Sequence, residues 1–222
     1  MYLIIFIGIA IASFIVSKMV ESRFDKYSKT PIAMTGKEVA EQMLRDSGID
    51  DVTVCCVKGK LTDHYNPMNK TLNLSESVYD CANIAAAAVA AHECGHAVQH
   101  ARGYAFLKMR SAMVPAVSFS SKYVSWILLG GILLINVFPQ LLLIGICLFA
   151  VTTLFSFVTL PVEIDASSRA LAWLKNSGVS TFSNHQMAVK ALRSAAYTYV
   201  VAALSSLATL MYYVMIYLGR RD

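Results

Sequence analysis

The chain has 222 residues, of which 56% are hydrophobic and 15% are charged, and its mean hydropathy is +0.54. This composition is too apolar for an ordinary soluble domain of this length, so membrane-spanning segments are expected. Membrane topology is a sufficient source for the net charge of +5, and no interleaved basic and aromatic patch predicts a nucleic-acid partner.

The first 17 residues are predicted to form an uncleaved membrane anchor. Residues 2–16 are a continuous apolar run, but the segment lacks the basic start and the small-residue cleavage site of a secretory signal peptide. Four basic residues follow it closely: Lys18, Arg23, Lys26 and Lys29. By the positive-inside rule, they place the chain after the anchor in the cytosol.

The polar region after the anchor begins with helix and strand signals. Thr35 and Glu38 form a capping box, and apolar residues then recur at helical spacing until Gly48 stops the helix. Short strands are predicted over 52–57 and 71–75, with a turn-rich stretch between them. The second strand directly precedes another helix, which suits either an edge strand that pairs with an extended peptide or an ordinary hairpin.

Residues 81–101 are predicted to form the next helix, because they lack proline, are rich in alanine and precede Arg102-Gly103. The candidate N-caps are Ser75, Ser77 and Asp80. This helix carries an H-E-x-x-H motif. Its His92 and His96 lie one turn apart on one face, where both imidazoles can bind one zinc ion at about 2.0–2.1 Å. Glu93 is placed to take a proton from water.

The neighbours of the motif also favour a metal site. They leave the helix almost no other polar face, and a buried Glu-His-His cluster is costly unless it is paired or holds a metal. Cys94 is turned away from the histidine face, so packing is favoured over metal binding. The chain has five cysteines, Cys55, Cys56, Cys81, Cys94 and Cys147. They form no disulfide framework, which indicates a reducing compartment.

Residues 123–160 are free of charge and far too long for one crossing of a bilayer core of about 30 Å. Residues 136–140 offer a turn near the centre, so a transmembrane hairpin is predicted. A last span is expected over 195–218. The basic residues Lys108, Arg110 and Lys122 precede the hairpin, whose turn is uncharged, and the positive-inside rule therefore keeps both flanking regions cytosolic. Arg220 and Arg221 conflict with this topology.

The extended H-E-x-x-H-x-x-G-x-x-H pattern is excluded, because Gln99 and Arg102 occupy its last two fixed positions. The third zinc ligand must come from elsewhere. His100 is an unsuitable candidate, since it would lie about 12 Å along the helix axis from His92. A supporting or surface role suits it better.

Glu163 is the strongest candidate, because it follows the hairpin by a few residues at the start of a predicted helix. Asp165 is the alternative ligand, although a bond to an imidazole is its more natural role. A carboxylate near a helix N-terminus is stabilised by about 0.3–1 kcal/mol through the helix dipole. This stabilisation would explain the presence of either acid without a metal. Downstream, His185 could stabilise an oxyanion, but a capping or exposed position is the more common role.

The chain resembles the YugP-type neutral zinc metallopeptidases of bacterial membranes. The resemblance rests on the anchor and on four motifs: H-Y-N-P at 64–67, L-N-L-S at 72–75, A-H-E-C-G-H-A-V-Q at 91–99 and L-P-V-E-I-D-A-S at 160–167. The chain is more distantly similar to the HtpX and CAAX prenyl protease group, in which a Glu of an E-x-x-A-D pattern binds zinc. Glu163 and Ala166 match this pattern, while Ser167 replaces its Asp, and Asp165 is the candidate to substitute for that Asp. The resemblance implies proteolytic activity.

We therefore expect a mainly α integral membrane protein with a zincin-like (gluzincin) core, a small β element and about four transmembrane helices. The predicted regions are an anchor (1–17), a cytosolic catalytic region (18–122), a hairpin (123–160), a third-ligand helical region (161–194) and a last span with a tail (195–222). We expect a Zn²⁺ endopeptidase of the bacterial cell membrane, with its site in the cytosol. His92, His96 and Glu163 would bind the metal, and Glu93 would be the base. Its substrates would be membrane-associated peptides or proteins, cut near the bilayer surface. The alternative is a zinc-binding scaffold without turnover.

Overall fold

The elements are given by a computed structural model that describes residues 2–219, with side chains from Phe6 onward. In chain order they are α1 (Tyr2–Tyr27), α2 (Gly36–Asp46), β1 (Thr53–Val57), β2 (His64–Asn66), β3 (Thr71–Ser75), α3 (Glu76–Tyr79), α4 (Ile84–Ala101), α5 (Ala105–Leu133), α6 (Pro139–Asn176) and α7 (Phe182–Gly219). The predicted combination of a mainly helical chain with a small β element is confirmed.

Helix α2 begins at its predicted capping box. The Thr35 hydroxyl accepts a hydrogen bond from the Glu38 N–H at 3.2 Å, and the Glu38 carboxylate accepts one from the Thr35 N–H at 2.7 Å. The apolar face of α2 includes Val39 and Met43, which are buried against the core. Because this face packs on α4, it supports the back of the histidine-bearing helix.

Helix α4 begins later than the sequence predicts. Asn83 is its N-cap, and its side-chain oxygen accepts a hydrogen bond from the Ala86 N–H at 2.9 Å. None of the three predicted caps has this role, and Asp80 instead ends the short helix α3. The predicted C-terminus is confirmed, because α4 ends at Ala101 and Gly103 adopts a φ of 64°.

The sheet has the strand order β1-β3-β2. β1 pairs in parallel with β3, and β2 pairs antiparallel with β3. The strand at 71–75 is therefore central, so its edge-strand interpretation is wrong. The hairpin interpretation is confirmed with β2 as the antiparallel partner, while β1 joins β3 in parallel. The edge strand next to α4 is β2, within the stretch that the sequence predicts as a turn. Its three residues are too few to show an alternating pattern.

Three helices of the described part, α5, α6 and α7, are long and apolar enough to cross a membrane. The predicted break between two apolar helices is observed, since α5 ends at Leu133 and α6 begins at Pro139. That both helices cross a membrane stays a prediction. Helix α6 continues through Pro161, so Glu163 lies inside it and not at the start of a separate helix. Its 38 residues correspond to about 57 Å, so its C-terminal part extends beyond a bilayer core of about 30 Å.

Helix α1 runs antiparallel to α7. The rings of Phe6 and Tyr212 lie 5.3 Å apart at one end, and the Arg23 guanidinium donates to the Lys190 carbonyl at 2.9 Å at the other. Such a position suits a fourth membrane helix, which stays a prediction. The conflicting Arg220 and Arg221 lie outside the described residues.

Helices α4 and α6 approach to backbone contact at Gly95. A Cβ atom at this position would lie 2.6 Å from the Ala166 carbonyl oxygen and 3.0 Å from its Cα. These are backbone atoms, which cannot move aside as the end of a flexible side chain can. Gly95 therefore sets the spacing between the helix with the two histidines and the helix with Glu163.

We expect Gly95→Ala to lower the free energy of unfolding by about 1–3 kcal/mol, because the added methyl group forces α4 and α6 apart. Thermal unfolding of the detergent-solubilised protein measures this loss. Gly8→Ala is the matched control, since nothing lies within 4 Å of a Cβ built there. Parental stability of Gly95→Ala would show that the two helices separate without cost.

Candidate active site

The structure brings His92 and His96 of α4 together with Glu163 of α6. Their ligand atoms all lie within 4.8 Å of one another. Glu163 Oε2 is 3.3 Å from His92 Nε2 and 3.6 Å from His96 Nε2. The Glu163 side chain is 3% exposed. The three predicted metal ligands thus form one cluster, in which His96 and Glu163 are buried and His92 is partly buried.

The donor set of this cluster fits zinc. Catalytic zinc sites commonly combine two imidazole nitrogens with one carboxylate and keep a fourth position open. Ligand atoms about 2.0–2.1 Å from a tetrahedral ion lie about 3.3 Å from each other. The two separations between Glu163 and the histidines are close to this value, so the three side chains need little movement to hold an ion.

A polar side chain contacts the Nδ1 atom of each imidazole, on the side of the ring away from Glu163. Ser167 Oγ lies 3.1 Å from His92 Nδ1, and Gln99 Oε1 lies 3.1 Å from His96 Nδ1. When Nδ1 carries the proton and donates it to these oxygens, Nε2 keeps the free electron pair that a metal requires. The contacts therefore orient both rings with Nε2 toward Glu163.

Asp165 does not contact an imidazole. Gln99 Nε2 donates to the Asp165 carboxylate at 2.8 Å and to the Val162 carbonyl at 2.8 Å. The predicted bond of Asp165 to a histidine is therefore indirect and passes through Gln99. Ser167 itself occupies the place of the Asp in the related pattern and contacts His92, so the expectation that Asp165 substitutes there is wrong.

Glu93 lies beside the cluster, in the same cavity as both histidines. Its Oε2 accepts a hydrogen bond from the Tyr65 N–H of β2 at 3.1 Å, and its side chain is largely buried. Burial lowers the pKa of His96, but the hydrogen bond to Glu163 and the negative charges of Glu93 and Glu163 outweigh it and raise that pKa. This local excess of negative charge favours a bound cation.

The cavity has a volume of about 300 Å³, and Arg110 and Tyr199 are among the polar groups lining it that the sequence analysis did not assign to the site. Arg110 of α5 places Nη1 3.5 Å from Glu163 Oε1, and Tyr199 of α7 lines the cavity together with Glu163. Neither residue belongs to a local motif. The basic character of Arg110 suggested only membrane topology, and nothing in the sequence singled out Tyr199.

The remaining candidates lie outside the cluster. Cys94 Sγ faces the Ala40 carbonyl at 3.5 Å, and burial followed by the charge of Glu93 raises the pKa of its thiol, which confirms packing. His100 contacts the Tyr65 hydroxyl at 2.8 Å. His185 bonds to the Ser180 hydroxyl at 2.9 Å, so it is a local contact near the start of α7.

Nearly the full length of the chain has recognisable relatives. Residues 2–218 match a family described as "Putative neutral zinc metallopeptidase". The chain is 42% identical, over 99% of both sequences, to the "Putative membrane protease YugP" of Bacillus subtilis (strain 168). No solved structure matches it. The resemblance inferred from the motifs is confirmed, and the chain belongs to this family of neutral zinc metallopeptidases.

Proposed function

We propose that the protein is a membrane-embedded zinc endopeptidase that cuts membrane-associated proteins near the bilayer surface. The main support for this proposal is that the ligand atoms of His92, His96 and Glu163 lie within 4.8 Å of one another, with Glu93 in the same cavity. A site that only binds metal has no need of a base next to its ligands. The family of the chain and the name of its Bacillus relative support the same activity.

His92, His96 and Glu163 would hold the zinc ion, which supplies a Lewis acid that polarises a carbonyl and lowers the pKa of water toward about 7. Glu93 takes the proton of the attacking water and later delivers it to the leaving amine. The Tyr65 N–H stabilises the ionised carboxylate and fixes its direction. Ser167 and Gln99 keep the two imidazoles from rotating during turnover.

The edge strand β2 offers a binding surface for an extended peptide. The Tyr65 N–H points away from β3, because it donates to Glu93 at the cavity. Because the Tyr65 N–H is used by Glu93, a substrate laid along this edge would donate a main-chain hydrogen bond to the outward Tyr65 carbonyl, and this contact is independent of its side chains. The substrate-binding role considered for residues 71–75 is therefore assigned to His64–Asn66.

The cavity is proposed to lie at the membrane boundary. Glu163 follows the end of the charge-free stretch at Leu160 by three residues, or about 4.5 Å along a helix. Val114, Phe155 and Tyr199 of the three apolar helices line the cavity together with β2. A segment tethered to the bilayer can therefore reach the catalytic groups without leaving the surface.

The active site is proposed to face the cytosol. Basic residues lie at the ends of α5, α6 and α7 that are nearest to the proposed site, among them Lys108, Arg169 and Lys190. The hairpin turn at the opposite end carries no charge. All five cysteines are free, as is usual in a reducing compartment. Both observations support the same side of a bacterial cell membrane.

We expect Glu93→Gln to abolish hydrolysis of fluorescein-labelled casein, by a factor of about 10² or more, while zinc stays bound. The amide keeps the shape of the side chain but cannot accept the proton. Zinc content and cleavage rate of the purified protein are the two measurements. Glu76→Gln, at an exposed position, is the control. Parental turnover of Glu93→Gln would remove this residue from its role, and a parental protein that binds zinc but cuts nothing would favour the scaffold.

We expect Glu163→Ala to weaken zinc binding much more than Asp165→Ala. The first change removes a ligand. The second removes a carboxylate that binds Gln99 and Arg169 and supports His96 only through Gln99, a type of contact worth about 10–100-fold in metal affinity. Competition with a zinc chelator, measured on both purified variants, gives the two affinities. The reverse order would assign the ligand to Asp165.

We expect cleavage to fall as the target sequence is moved away from the membrane. In reconstituted vesicles, one sequence is placed at increasing linker lengths from a transmembrane helix, and the rates are compared with that of the same peptide without an anchor. Confinement to the bilayer raises the effective concentration of a nearby target. Equal rates at every distance, and for the free peptide, would contradict an interfacial site.

A further inference from the structure

The cavity contains a phenol that the proposed mechanism leaves without a task. Tyr199 of α7 lines the cavity together with Glu93 and both histidines. Glu163 and Arg110 line the same cavity. A tyrosine combines an apolar ring with one polar hydroxyl group that can donate a hydrogen bond. Because the proposed metal ligands and the proposed base line the same cavity, the phenol lies at the proposed reaction centre.

Peptide hydrolysis requires a donor at the substrate's carbonyl oxygen. Negative charge develops on this oxygen when water adds to the carbonyl carbon, and one well-placed donor contributes a factor of about 10²–10³ in kcat. The Glu93 carboxylate cannot serve, because it is an acceptor of the same charge sign. The proposed ligands His92 and His96 direct Nε2 toward Glu163 and use Nδ1 on supporting side chains.

The other donors that line the cavity are less suitable than Tyr199. Both ring nitrogens of His64 already have partners, since Nδ1 lies 2.8 Å from the Thr62 carbonyl oxygen and Nε2 lies 3.3 Å from the Asn73 amide nitrogen. The Arg110 guanidinium is paired with Glu163 Oε1 at 3.5 Å. Ser111 is exposed to the surroundings, where its hydroxyl is readily solvated. Tyr199 is partly buried and carries a neutral donor.

Tyr199 and the proposed base enter the cavity from different elements. Glu93 is tied to the edge strand by the Tyr65 N–H, whereas Tyr199 comes from α7, next to Glu163 of α6. A peptide laid along β2 would thus have the base on the strand side of its carbonyl group and the phenol on the helix side.

We propose that Tyr199 is a catalytic residue that donates a hydrogen bond to the oxyanion of the tetrahedral transition state. As the bond between the water oxygen and the carbonyl carbon forms, the carbonyl π pair moves onto oxygen and the water proton passes to Glu93. Tyr199 keeps its proton throughout. When the carbonyl reforms, the C–N bond breaks and the amine takes the proton from Glu93. This assignment rests on the proposed peptidase function.

The test compares full-length Tyr199→Phe with the parental zinc-loaded protein. We expect kcat for fluorescein-labelled casein to fall about 10²–10³-fold, with KM within about twofold. We also expect the affinity for a phosphonamidate dipeptide, whose tetrahedral phosphoryl group resembles the transition state, to fall by at least about 30-fold. The affinity for the dipeptide product with the same side chains should stay within about twofold, and zinc content should be unchanged.

Tyr197→Phe is the matched control, because this tyrosine lies on the same helix with its side chain 43% exposed, and it should behave like the parental protein. A fall in zinc content of Tyr199→Phe would overturn the proposal, since the phenol would then only hold Glu163. Unchanged phosphonamidate affinity would overturn it as well. Should the parental protein cut no peptide, the peptidase function fails, while the ratio of phosphonamidate to dipeptide affinity still decides the role of Tyr199.

Discussion

The burial of one carboxylate governs this structure. Glu163 lies in the interior of a 38-residue helix that is apolar enough to cross a membrane, and its side chain is only 3% exposed. An ionised carboxylate in such a place is costly unless cations or hydrogen bonds compensate it. His92 and His96 face one oxygen and Arg110 faces the other. Helix α4 must therefore dock on α6 at the level of Glu163, and a divalent cation between these side chains would complete the compensation.

This docking explains the small residues of α4. Gly95 lies in backbone contact with Ala166, and the alanines around the motif are fully buried between α2, α6 and α7. Larger side chains would move the two imidazoles away from Glu163. Alanine therefore serves packing as well as helix propensity. On the opposite face of α4, Cys94 packs against Ala40 of α2, so the catalytic helix is fixed from both sides and its histidines are preorganised.

The sequence predicted what is encoded locally. The capping box of α2, the spacing of His92 and His96, the hairpin turn and the end of α4 each depend on neighbouring residues, and all are observed. Glu163 was proposed from its position just after the hairpin and then from its match to a family pattern. Contacts between distant segments were not predictable: the contact of Ser167 with His92 and the place of Tyr199 in the cavity with Glu163 depend on how three helices pack. The edge position expected for residues 71–75 was wrong for the same reason, because the pairing of β3 with two neighbouring strands depends on tertiary structure.

The continuity of α6 links the position of the site to the membrane. If Glu163 stood on a separate helix, a hinge after the hairpin could place the metal cluster at any height above the bilayer. Because α6 runs unbroken from Pro139 to Asn176, the depth of its apolar part fixes the height of Glu163. Arg110 of α5 contacts this carboxylate and Tyr199 of α7 lines the same cavity, so all three apolar helices contribute to the site at this level. The candidate membrane helices are therefore also the framework of the proposed active site, and tilting any one of them would move a group that the proposed chemistry requires.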